Sequence, residues 1–595
     1  MKTSAAARAL AAIAVAATGL AGGGSAGRAQ ARAPNPIQAE NQLPGSEGWI
    51  PSVNVGIEAY GSEAGARPGE SLHLHVSTAP AAHYRIEIYR LGWYGSAGGH
   101  LVTCLPTDCA GAENGQSGPP PSIDPSTGET RAQWPVSDTL PIGGDWVSGY
   151  YVAKALLTDG PEVGNAATVP FVVEASASRP SAILVVAAEN TWQAYNNWGG
   201  RSLYAFNSAN RPAATHVSFD RPYGVSAQTP FQWEYQAVRF LEGRGYDVSY
   251  ATDAEIDANP NELLRHRLVI VNGHNEYWTK AMRDGFDAAR TAGTNLAFLG
   301  ANDGYWQIRY ENDRRTIVEY RSAAFDPEPD RALKTTKFRW LDPPRPECSL
   351  LGVQFASADA STAPTPTDYA VDPASLADSW FRGTGFAATS TLPGLVGYEW
   401  DGIDPSCSTP PLTALFRATG PPDAAAVRYT APEGARVFSA GSLQFSWGLD
   451  DWNAPGHADP RLQRFMANAL DDLQRPAPPV ALTVRGARGG VRVDVTLQRD
   501  PRVAGARIFA HTSGNPFVPV RPVGTCKARA TACLLRLKLA GGRYRFAAET
   551  FDRWSASAPL FSLATRVELP RAADRRRRPP GSSRRPAPRA RGSGG

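Results

Sequence analysis

The strongest constraint on the fold is a series of apolar runs in the middle of the chain, separated by helical patterns. The segments SAILVVAA (181–188), LVIVN (268–272) and NLAFLG (295–300) are almost wholly apolar, which is typical of strands buried on both faces. Between them, FQWEYQAVRFLEG and TKAMRDGFDAARTAG place apolar side chains at helical spacing. This order of strand, helix, strand, helix and strand predicts an α/β domain with a doubly wound parallel sheet over residues 179–475.

Alternating patterns on both sides of this region predict flanking β domains. Upstream, SLHLHVST and YRIEIYRLGWYG alternate polar and apolar residues, and they predict an immunoglobulin-like β-sandwich over residues 45–174. Downstream of a Pro-rich boundary at 476–479, VALTVR and VRVDVTL predict a second, smaller β-sandwich over residues 480–568. A chain of 595 residues is too long for one hydrophobic core, so we expect a multidomain α/β plus β architecture.

The first 31 residues have the pattern of a secretory signal peptide. MKTSAAAR is a short basic start, ALAAIAVAATGLAG is apolar, and AQA at 29–31 is typical of a cleavage site. The apolar part is too short and too rich in Ala and Gly for a good membrane span, so an uncleaved anchor is the weaker alternative. We therefore expect a secreted, extracytoplasmic protein.

Six cysteines agree with an oxidising compartment. An even number without a CxxC motif favours disulfides over a zinc or iron–sulfur site. Spacing alone does not fix the connectivity. The plausible pairs are Cys104 with Cys109, Cys526 with Cys533 and Cys348 with Cys407.

The C-terminal end dominates the charge of the chain. From Arg571 onward nine Arg face one Asp, a charge of +8 in a protein whose formal net charge is +4. This composition, without aromatic or branched apolar residues, predicts a disordered tail at 569–595. Such a tail binds an anionic cell-envelope surface, such as membrane phosphate or a cell-wall polymer, or is simply solvated, and the sequence leaves both open. We expect no nucleic-acid partner, and a homo-oligomer remains open.

Polar motifs follow two neighbouring strands of the predicted sheet. GHNEYW (273–278) comes directly after LVIVN, and GANDGYW (300–306) begins where NLAFL ends. Ligands of doubly wound sheets bind at the carboxyl ends of the strands. The two motifs therefore predict a functional site at this edge of the sheet.

Several stretches of the chain resemble the large subunit of N,N-dimethylformamidase and its relatives. The combination of WQAYNNWGG with HNEYW is specific, and YRIEIYRLGWYG is similar to the N-terminal β domain of that family, so the resemblance covers residues 45–475. The matching stretches are TWQAYNNWGGRSLY (191–204), RPY (221–223), FQWEYQAVRFLEGRGYDVSYATD (231–253), GHNEYWT (273–279), NLAFLGANDGYWQIRYE (295–311) and GYEWDG (397–402).

The resemblance implies a mononuclear Fe³⁺ held by two tyrosine phenolates and one glutamate, in an amidohydrolase that cleaves a small formamide. The glutamate is Glu276 and the nearby histidine is His274. One tyrosine is Tyr195, and the second is Tyr235, with Tyr204 in reserve. Phenolate and carboxylate oxygens are hard ligands that suit Fe³⁺, and metal-activated water would attack the amide.

Three further roles complete this hypothesis. His274 would take a proton from water and pass it to the leaving amine. Asn275 and Asn302 are candidate hydrogen-bond partners of the oxyanion or of the ligands. The predicted function is a secreted N,N-dimethylformamidase-like amidohydrolase that hydrolyses the C–N bond of a small amide.

Each of these residues also has a simpler structural interpretation. Glu276 is placed to cap a helix that begins near Thr279, and Tyr235 shares a helix face with apolar residues. His274 is alternatively a hydrogen-bonded structural side chain. A solvated face would explain Glu399 equally well.

Two other kinds of function were weighed. Doubly wound sheets also carry glutamine amidotransferases, whose nucleophile is a cysteine at a strand-to-helix turn, but LAFLGAN (296–302) contains no cysteine. A non-catalytic extracellular binding protein that recognises a glycan or cell-wall polymer through its aromatic-rich cleft is the alternative function.

Overall fold

Among the residues that the structure describes, more are in strands than in helices, 35% against 18%, so sheets build most of the core. The computed structural model describes residues 33–50, 54–210, 212–224, 229–358, 367–407, 409–420, 423–487, 490–512, 522–527, 532–562 and 565–567. The predicted signal peptide and the predicted tail lie outside the described residues. Within the described part, no helix is both long and apolar enough to cross a membrane.

The N-terminal region contains a three-stranded and a six-stranded sheet that share one apolar core. Alternate residues of the predicted strand SLHLHVST are more deeply buried at its start, as expected for a strand with one face on a core. In sheet order the first sheet contains Ile57–Gly61, Ser71–Thr78 and Asp138–Pro141. The second contains Gly65–Ala66, Ala166–Val173, Gly149–Leu157, His83–Leu91 and Gly99–Leu105, with Glu113–Asn114 paired to His83–Leu91.

The central sheet has nine strands, of which the first five are parallel and the remainder antiparallel. The parallel strands include the apolar runs of the sequence. The antiparallel half comes from the irregular, Pro-rich part of the chain, whose pattern predicts only additional strands and loops. In sheet order the strands are Val248–Ala251, Ile183–Val186, Leu268–Gly273, Asn295–Gly300, Arg436–Ser439, Ala425–Thr430, Thr413–Ala418, Thr367–Val371 and Thr391–Val396.

Both faces of the parallel strands are buried, which explains their continuous apolar sequences. Ile183 and Val185 belong to one apolar cluster, whereas Leu184 and Val186 belong to another on the opposite face. Helices Tyr235–Gly243 and Pro460–Leu473 contribute to the first cluster, and Asp253–Ala258 and Lys280–Thr291 to the second. The remaining α-helices are Pro36–Glu40, Glu189–Tyr195 and Cys348–Leu351. The 3₁₀ helices are Tyr94–Ser96, Trp198–Gly200, Ala205–Asn207, Pro260–Arg265, Arg331–Leu333, Phe338–Trp340, Pro373–Ser375, Ser379–Phe381 and Leu443–Gly448.

Smaller sheets surround the edge of the central sheet where the polar motifs lie. The most important is four-stranded, because its strand Tyr277–Thr279 continues the GHNEYW motif. In order it contains His216–Ser218, Thr316–Val318, Trp306–Glu311 and Tyr277–Thr279. Two-stranded sheets pair Gln354–Ala358 with Glu399–Gly402 and Ser122–Ile123 with Thr130–Arg131.

The C-terminal region contains two further antiparallel sheets around a small apolar core. One contains Ala481–Ala487, Gly490–Thr496 and Ala532–Lys538. The other contains Gly524–Lys527, Gly505–Thr512, Gly542–Phe551 and Leu560–Phe561, with Thr565–Val567 paired to Gly542–Phe551.

Three disulfides join the six cysteines, and the pairs are those that the spacing favours. Two are local, and the third closes the long loop between Cys348 and Cys407. The local disulfides are Cys104–Cys109 and Cys526–Cys533. The expectation of disulfides in place of metal thiolates is thereby confirmed.

A candidate metal and active site at the strand ends

The site begins where strand Leu268–Gly273 leaves the central sheet. Gly273 has a φ of 73°, which turns the chain sharply out of the sheet. Its neighbour across the sheet is Gly300, where a side-chain Cβ would lie 1.6 Å from the Gly273 carbonyl oxygen. This close approach excludes any larger residue at Gly300 and brings the two polar motifs side by side.

Glu276 is the centre of a buried cluster of oxygen atoms. Its backbone N–H donates to Thr191 Oγ1 at 2.9 Å, which ties the loop to helix Glu189–Tyr195. Its carboxylate accepts hydrogen bonds from the hydroxyl of Tyr195 at 3.1 Å and from that of Tyr204 at 3.0 Å. The helix after the motif is capped by Thr279, whose side chain accepts from Met282 N, so Glu276 is not the cap.

The two tyrosines reach Glu276 from adjacent pieces of chain. Tyr195 ends helix Glu189–Tyr195, and Tyr204 lies in the following loop with its ring 4.3 Å from the Tyr195 ring. The hydroxyl of Tyr277 donates to that of Tyr204 at 2.5 Å. Arg321 lies 3.9 Å above the Tyr204 ring and donates to Tyr277 at 3.0 Å. The Arg321 guanidinium therefore contacts two of the three phenols, those of Tyr204 and Tyr277.

Burial makes ionisation of this cluster costly in the absence of a further cation. Desolvation and the nearby Glu276 carboxylate raise the pKa of Tyr195 well above its ordinary value. The same two causes raise the pKa of Tyr204, and Arg321 opposes them. Desolvation also raises the pKa of Glu276 to about 7, although His274 opposes the shift. A bound cation would reverse the balance, because it stabilises the anionic form of all three groups.

His274 lies against two carboxylates rather than one. Its Nε2 atom is 3.2 Å from Glu399 Oε2 and 3.6 Å from Glu276 Oε2. Burial acts to lower the pKa of His274, but Glu399 and Glu276 together raise it to about 9. Nε2 therefore faces the two carboxylates, whereas Nδ1 is buried without a hydrogen-bond partner among the described residues.

Asn302 joins the second polar motif to this pair. Its side-chain amide N–H donates to Glu399 Oε2 at 2.8 Å, and its backbone N–H donates to Asp401 at 2.9 Å. Its φ of 57° places the side chain at the end of strand Asn295–Gly300. Its Oδ1 atom is buried and has no hydrogen-bond partner among the described residues.

Asn275 is committed to the structure of the loop. Its side chain donates to Asp253 at 2.7 Å and accepts from Trp278 Nε1 at 2.9 Å. Its backbone N–H donates to Asp303 at 2.9 Å. These bonds hold the motif in place and leave the Asn275 amide turned away from the Glu276 cluster.

The structure does not bring Tyr235 to Glu276. The hydroxyl of Tyr235 donates to the backbone carbonyl oxygens of Gly98 and Gly92 in the N-terminal region. Its ring packs edge-on against Trp49 at 5.0 Å. The apolar helix face shared with Val238 explains this position. Tyr204, the reserve residue of the sequence hypothesis, occupies the place beside Glu276.

The donor atoms fit an oxygen-ligated cation. Among the described residues, no group of three or more His, Cys, Asp or Glu side chains is arranged to hold a metal ion. A metal here would therefore depend on the phenols. The hydroxyl oxygens of Tyr195 and Tyr204 already lie within 3.1 Å of the carboxylate oxygens of Glu276. Hard oxygen donors of this kind suit Fe³⁺.

The strand ends and this cluster define a class of protein: a multi-sheet chain whose central sheet delivers a buried site of two tyrosines and one glutamate. The chain belongs to the family described as N,N-dimethylformamidase beta subunit-like, C-terminal, whose model matches residues 85–459. The resemblance inferred from the sequence motifs is thereby confirmed.

Comparisons with individual proteins are more limited. The N,N-dimethylformamidase beta subunit of Alcaligenes sp is 28% identical over 94 residues, which cover 15% of this chain and 12% of that relative. The Clostridium perfringens spore cortex lytic enzyme SleM matches 16% of this chain and 30% of its own at 19% identity, with a TM-score of 0.13. A mutant of Bacteroides uniformis beta-glucuronidase 2 matches 86% of this chain and 61% of its own at 9% identity, with a TM-score of 0.20. These structural similarities are too low to carry an argument.

Sequence reasoning missed three members of the site. Glu399 is buried, with 7% of its surface exposed, so it does not belong to a solvated face. Its only sequence signal is its place in GYEWDG, a stretch that resembles the family. Tyr277 lies inside the GHNEYW motif, and Arg321 lies in a region without a regular pattern, so only the fold reveals its contact with Tyr204.

Proposed function

We propose that the chain is an exported, iron-dependent amidohydrolase that cleaves the C–N bond of a small amide. The observation that carries this proposal is the convergence of the Tyr195 and Tyr204 hydroxyls on the Glu276 carboxylate in a buried position. Membership of the N,N-dimethylformamidase beta subunit-like family supports the type of reaction. The alignment covers only 12% of the N,N-dimethylformamidase beta subunit of Alcaligenes sp, so we propose the small-amide substrate as well as the reaction.

In this proposal the iron ligands are Tyr195, Tyr204 and Glu276, and Tyr204 takes the place of Tyr235. When bound, Fe³⁺ would polarise the amide carbonyl and acidify water. Three protein ligands leave positions open for water and substrate. Arg321, above the Tyr204 ring, favours the phenolate form of that residue and so assists ligation.

The chain itself supplies the proton transfers. His274 faces both carboxylates, which favour its protonated form; a cation bound at Glu276 would oppose this effect, so that the neutral ring could accept a proton from the attacking water and deliver it to the leaving amine. Glu399 stabilises the protonated imidazole, and Asn302 holds Glu399 in position with its 2.8 Å hydrogen bond. The free Oδ1 atom of Asn302 is an acceptor for an N–H group of the substrate.

The first experiment measures iron content and the visible phenolate-to-iron absorption of the purified protein. We expect about one iron per chain and an absorption band that weakens in Tyr195→Phe and Tyr204→Phe. Tyr235→Phe is the matched control, because it removes a buried tyrosine hydroxyl that donates to backbone carbonyls of the N-terminal region and not to Glu276. A band that survives both ligand substitutions, or that disappears in Tyr235→Phe, contradicts the ligand set.

The second experiment tests the reaction. Iron-loaded protein is incubated with a series of formamides and other small amides, and the released amine is measured. Release that depends on Glu276 supports the amidohydrolase. An iron-free, inactive protein that binds a glycan or cell-wall polymer would instead establish the non-catalytic alternative.

The proposal extends to the architecture and the location of the protein. We assign the parallel half of the central sheet to the doubly wound, glutamine-amidotransferase-like type and the flanking sheets to immunoglobulin-like domains, with the boundaries 45–174, 179–475 and 480–568. Export rests on the signal-peptide pattern of residues 1–31, and attachment to an anionic cell-envelope surface rests on the Arg-rich tail. Detection of the mature protein in the culture medium, with an N-terminus near residue 32, tests export.

A further inference from the structure

A cavity of about 680 Å³ lies between the N-terminal sheets and the helix side of the central sheet. Its volume is in the range of small-molecule pockets, about 300–1,000 Å³. Neither Tyr195 nor Glu276 is among the described residues that line it, so it is separate from the site above. Strand Ala166–Val173 forms one wall, and Trp452 and the segment around Phe231 form another.

Five aromatic side chains are among the described residues that line the cavity, and several of them pack against other rings. The indole of Trp49 packs against Tyr235 at 5.0 Å and against Trp452 at 4.8 Å, and its N–H donates to Ala97 O at 3.1 Å. Phe231 is held between Tyr150 and Trp192, with ring distances of 4.9 and 5.1 Å. Rigid rings around an open volume form a binding surface that needs no rearrangement.

Two lining residues adopt backbone conformations that non-glycine residues rarely take. Phe231 has a φ of 68° and Asn453 a φ of 51°. For a bulky residue such as Phe231 this conformation is strained, and strain of this kind clusters at ligand-binding sites. The Phe231 side chain, on this strained backbone, lines the cavity.

The lining also limits the charge of a ligand. The described lining residues include one carboxylate, Glu58, and no Lys, Arg or His. Glu58 accepts from Trp198 Nε1 at 2.7 Å, so it is already partnered. An anionic ligand would meet no cation here, whereas the side-chain amides of Asn54 and Gln232 can bond polar groups at the edge of an uncharged one.

We propose that this cavity binds an uncharged aromatic or alicyclic molecule that carries a few hydrogen-bonding groups on its edge. The ring lies among Trp49, Phe231 and Trp452, and the polar edge faces Asn54 and Gln232. The site is independent of iron and of amide hydrolysis, so it is tested without either activity.

The test uses two fluorescent probes with the same ring skeleton. N-phenyl-1-naphthylamine is uncharged, and 8-anilino-1-naphthalenesulfonate adds one negative charge. Titrated into the full-length protein, the uncharged probe is expected to bind saturably with one site per chain, and the sulfonate at least about tenfold more weakly. Equal affinity for both probes, or no saturable binding, overturns the proposal.

A cavity-filling variant locates the binding. Thr168 lies on the cavity wall, in alternation with the inward-facing Val169 of the same strand. Thr168→Trp is expected to weaken binding of the uncharged probe by about tenfold or more. Trp340→Ala, which removes an exposed indole elsewhere, is the matched control and leaves affinity unchanged. If Thr168→Trp unfolds, Trp452→Ala takes its place, and unchanged affinity in the folded variant refutes the site.

Discussion

At the scale of single residues, the candidate site combines an anionic ligand set with a proton-transfer pair. Glu276 receives two phenol hydroxyls, whereas His274 lies between Glu276 and Glu399. The two functions can be separated by substitution, because within the described part of the chain Glu399 makes no hydrogen bond to either tyrosine hydroxyl, although its charge contributes to the raised pKa of Tyr195. A substitution at Glu399 therefore distinguishes proton transfer from iron binding.

Glu399→Gln is expected to retain iron and its absorption band but to lose amide hydrolysis. A neutral amide no longer stabilises protonated His274, and general acid–base catalysis contributes roughly 10²–10⁴-fold to a rate. Amine release at saturating substrate and iron content are measured on the same samples. Glu311→Gln is the control, since Glu311 is a half-exposed carboxylate on a neighbouring strand. Wild-type turnover in Glu399→Gln would remove this residue from the mechanism.

At the scale of elements, the sequence predicts the parallel strands and their flanking helices because burial on both faces leaves a continuous apolar signal. Leu268–Gly273, Asn295–Gly300 and helix Lys280–Thr291 lie where the patterns place them. The strands of the antiparallel half lack a continuous apolar run, and Thr391–Val396 even contains Pro and Gly, so their pattern does not distinguish them from loops.

The same reasoning explains which part of the site could be predicted. Glu276 and Tyr195 stand in motifs that follow regular elements, so their positions follow from the fold. Helical periodicity correctly predicts that Tyr235 is buried, but it does not predict which atoms the Tyr235 hydroxyl contacts. Tyr204 and Arg321 lie in irregular segments, and their approach to Glu276 depends on loop conformations that no local pattern encodes.

The junction after strand Ala166–Val173 carries a pH-dependent contribution to stability. Desolvation, with the nearby Glu255, raises the pKa of Glu174 from 4.5 to about 7, although Thr252 donates to it at 2.8 Å. Because the folded state holds this proton more tightly than the unfolded state, stability falls as pH rises from about 4.5 to about 7. The shift corresponds to about 3 kcal/mol at most.

Glu174→Gln removes this titration. We expect the free energy of unfolding of the variant, measured with urea, to fall less steeply than that of the wild type between pH 4.5 and 7. The free energy of unfolding of the variant therefore increases relative to that of the wild type as pH rises through this window. Parallel curves for the two proteins would show that Glu174 ionises normally in the folded state.

At the scale of the whole molecule, buried ion pairs connect the N-terminal and C-terminal regions to the central one. Arg90 in strand His83–Leu91 makes two hydrogen bonds of 2.9 and 2.8 Å to Glu242 in helix Tyr235–Gly243, and both side chains are fully buried. Arg267, beside the central sheet, pairs with Asp500 in the C-terminal region. These ion pairs fix how the three regions pack against one another, and they contribute to the free energy of folding.

Arg90→Met is expected to destabilise the protein by about 3–5 kcal/mol, because it leaves the Glu242 carboxylate buried without its cation. The midpoint of urea unfolding measures the loss. Arg492→Met breaks a pair whose Arg side chain is 49% exposed, and it is expected to cost less than about 1 kcal/mol. Equal losses in the two variants would show that the buried pair does not stabilise the junction.

The most direct test of the central claim is the anomalous diffraction of crystals of the iron-loaded protein, measured at the iron absorption edge. The account predicts one strong peak bonded to the hydroxyl oxygens of Tyr195 and Tyr204 and to the carboxylate of Glu276. An iron peak at another position, or a fully loaded crystal in which those three side chains keep only their hydrogen bonds to one another, would contradict it.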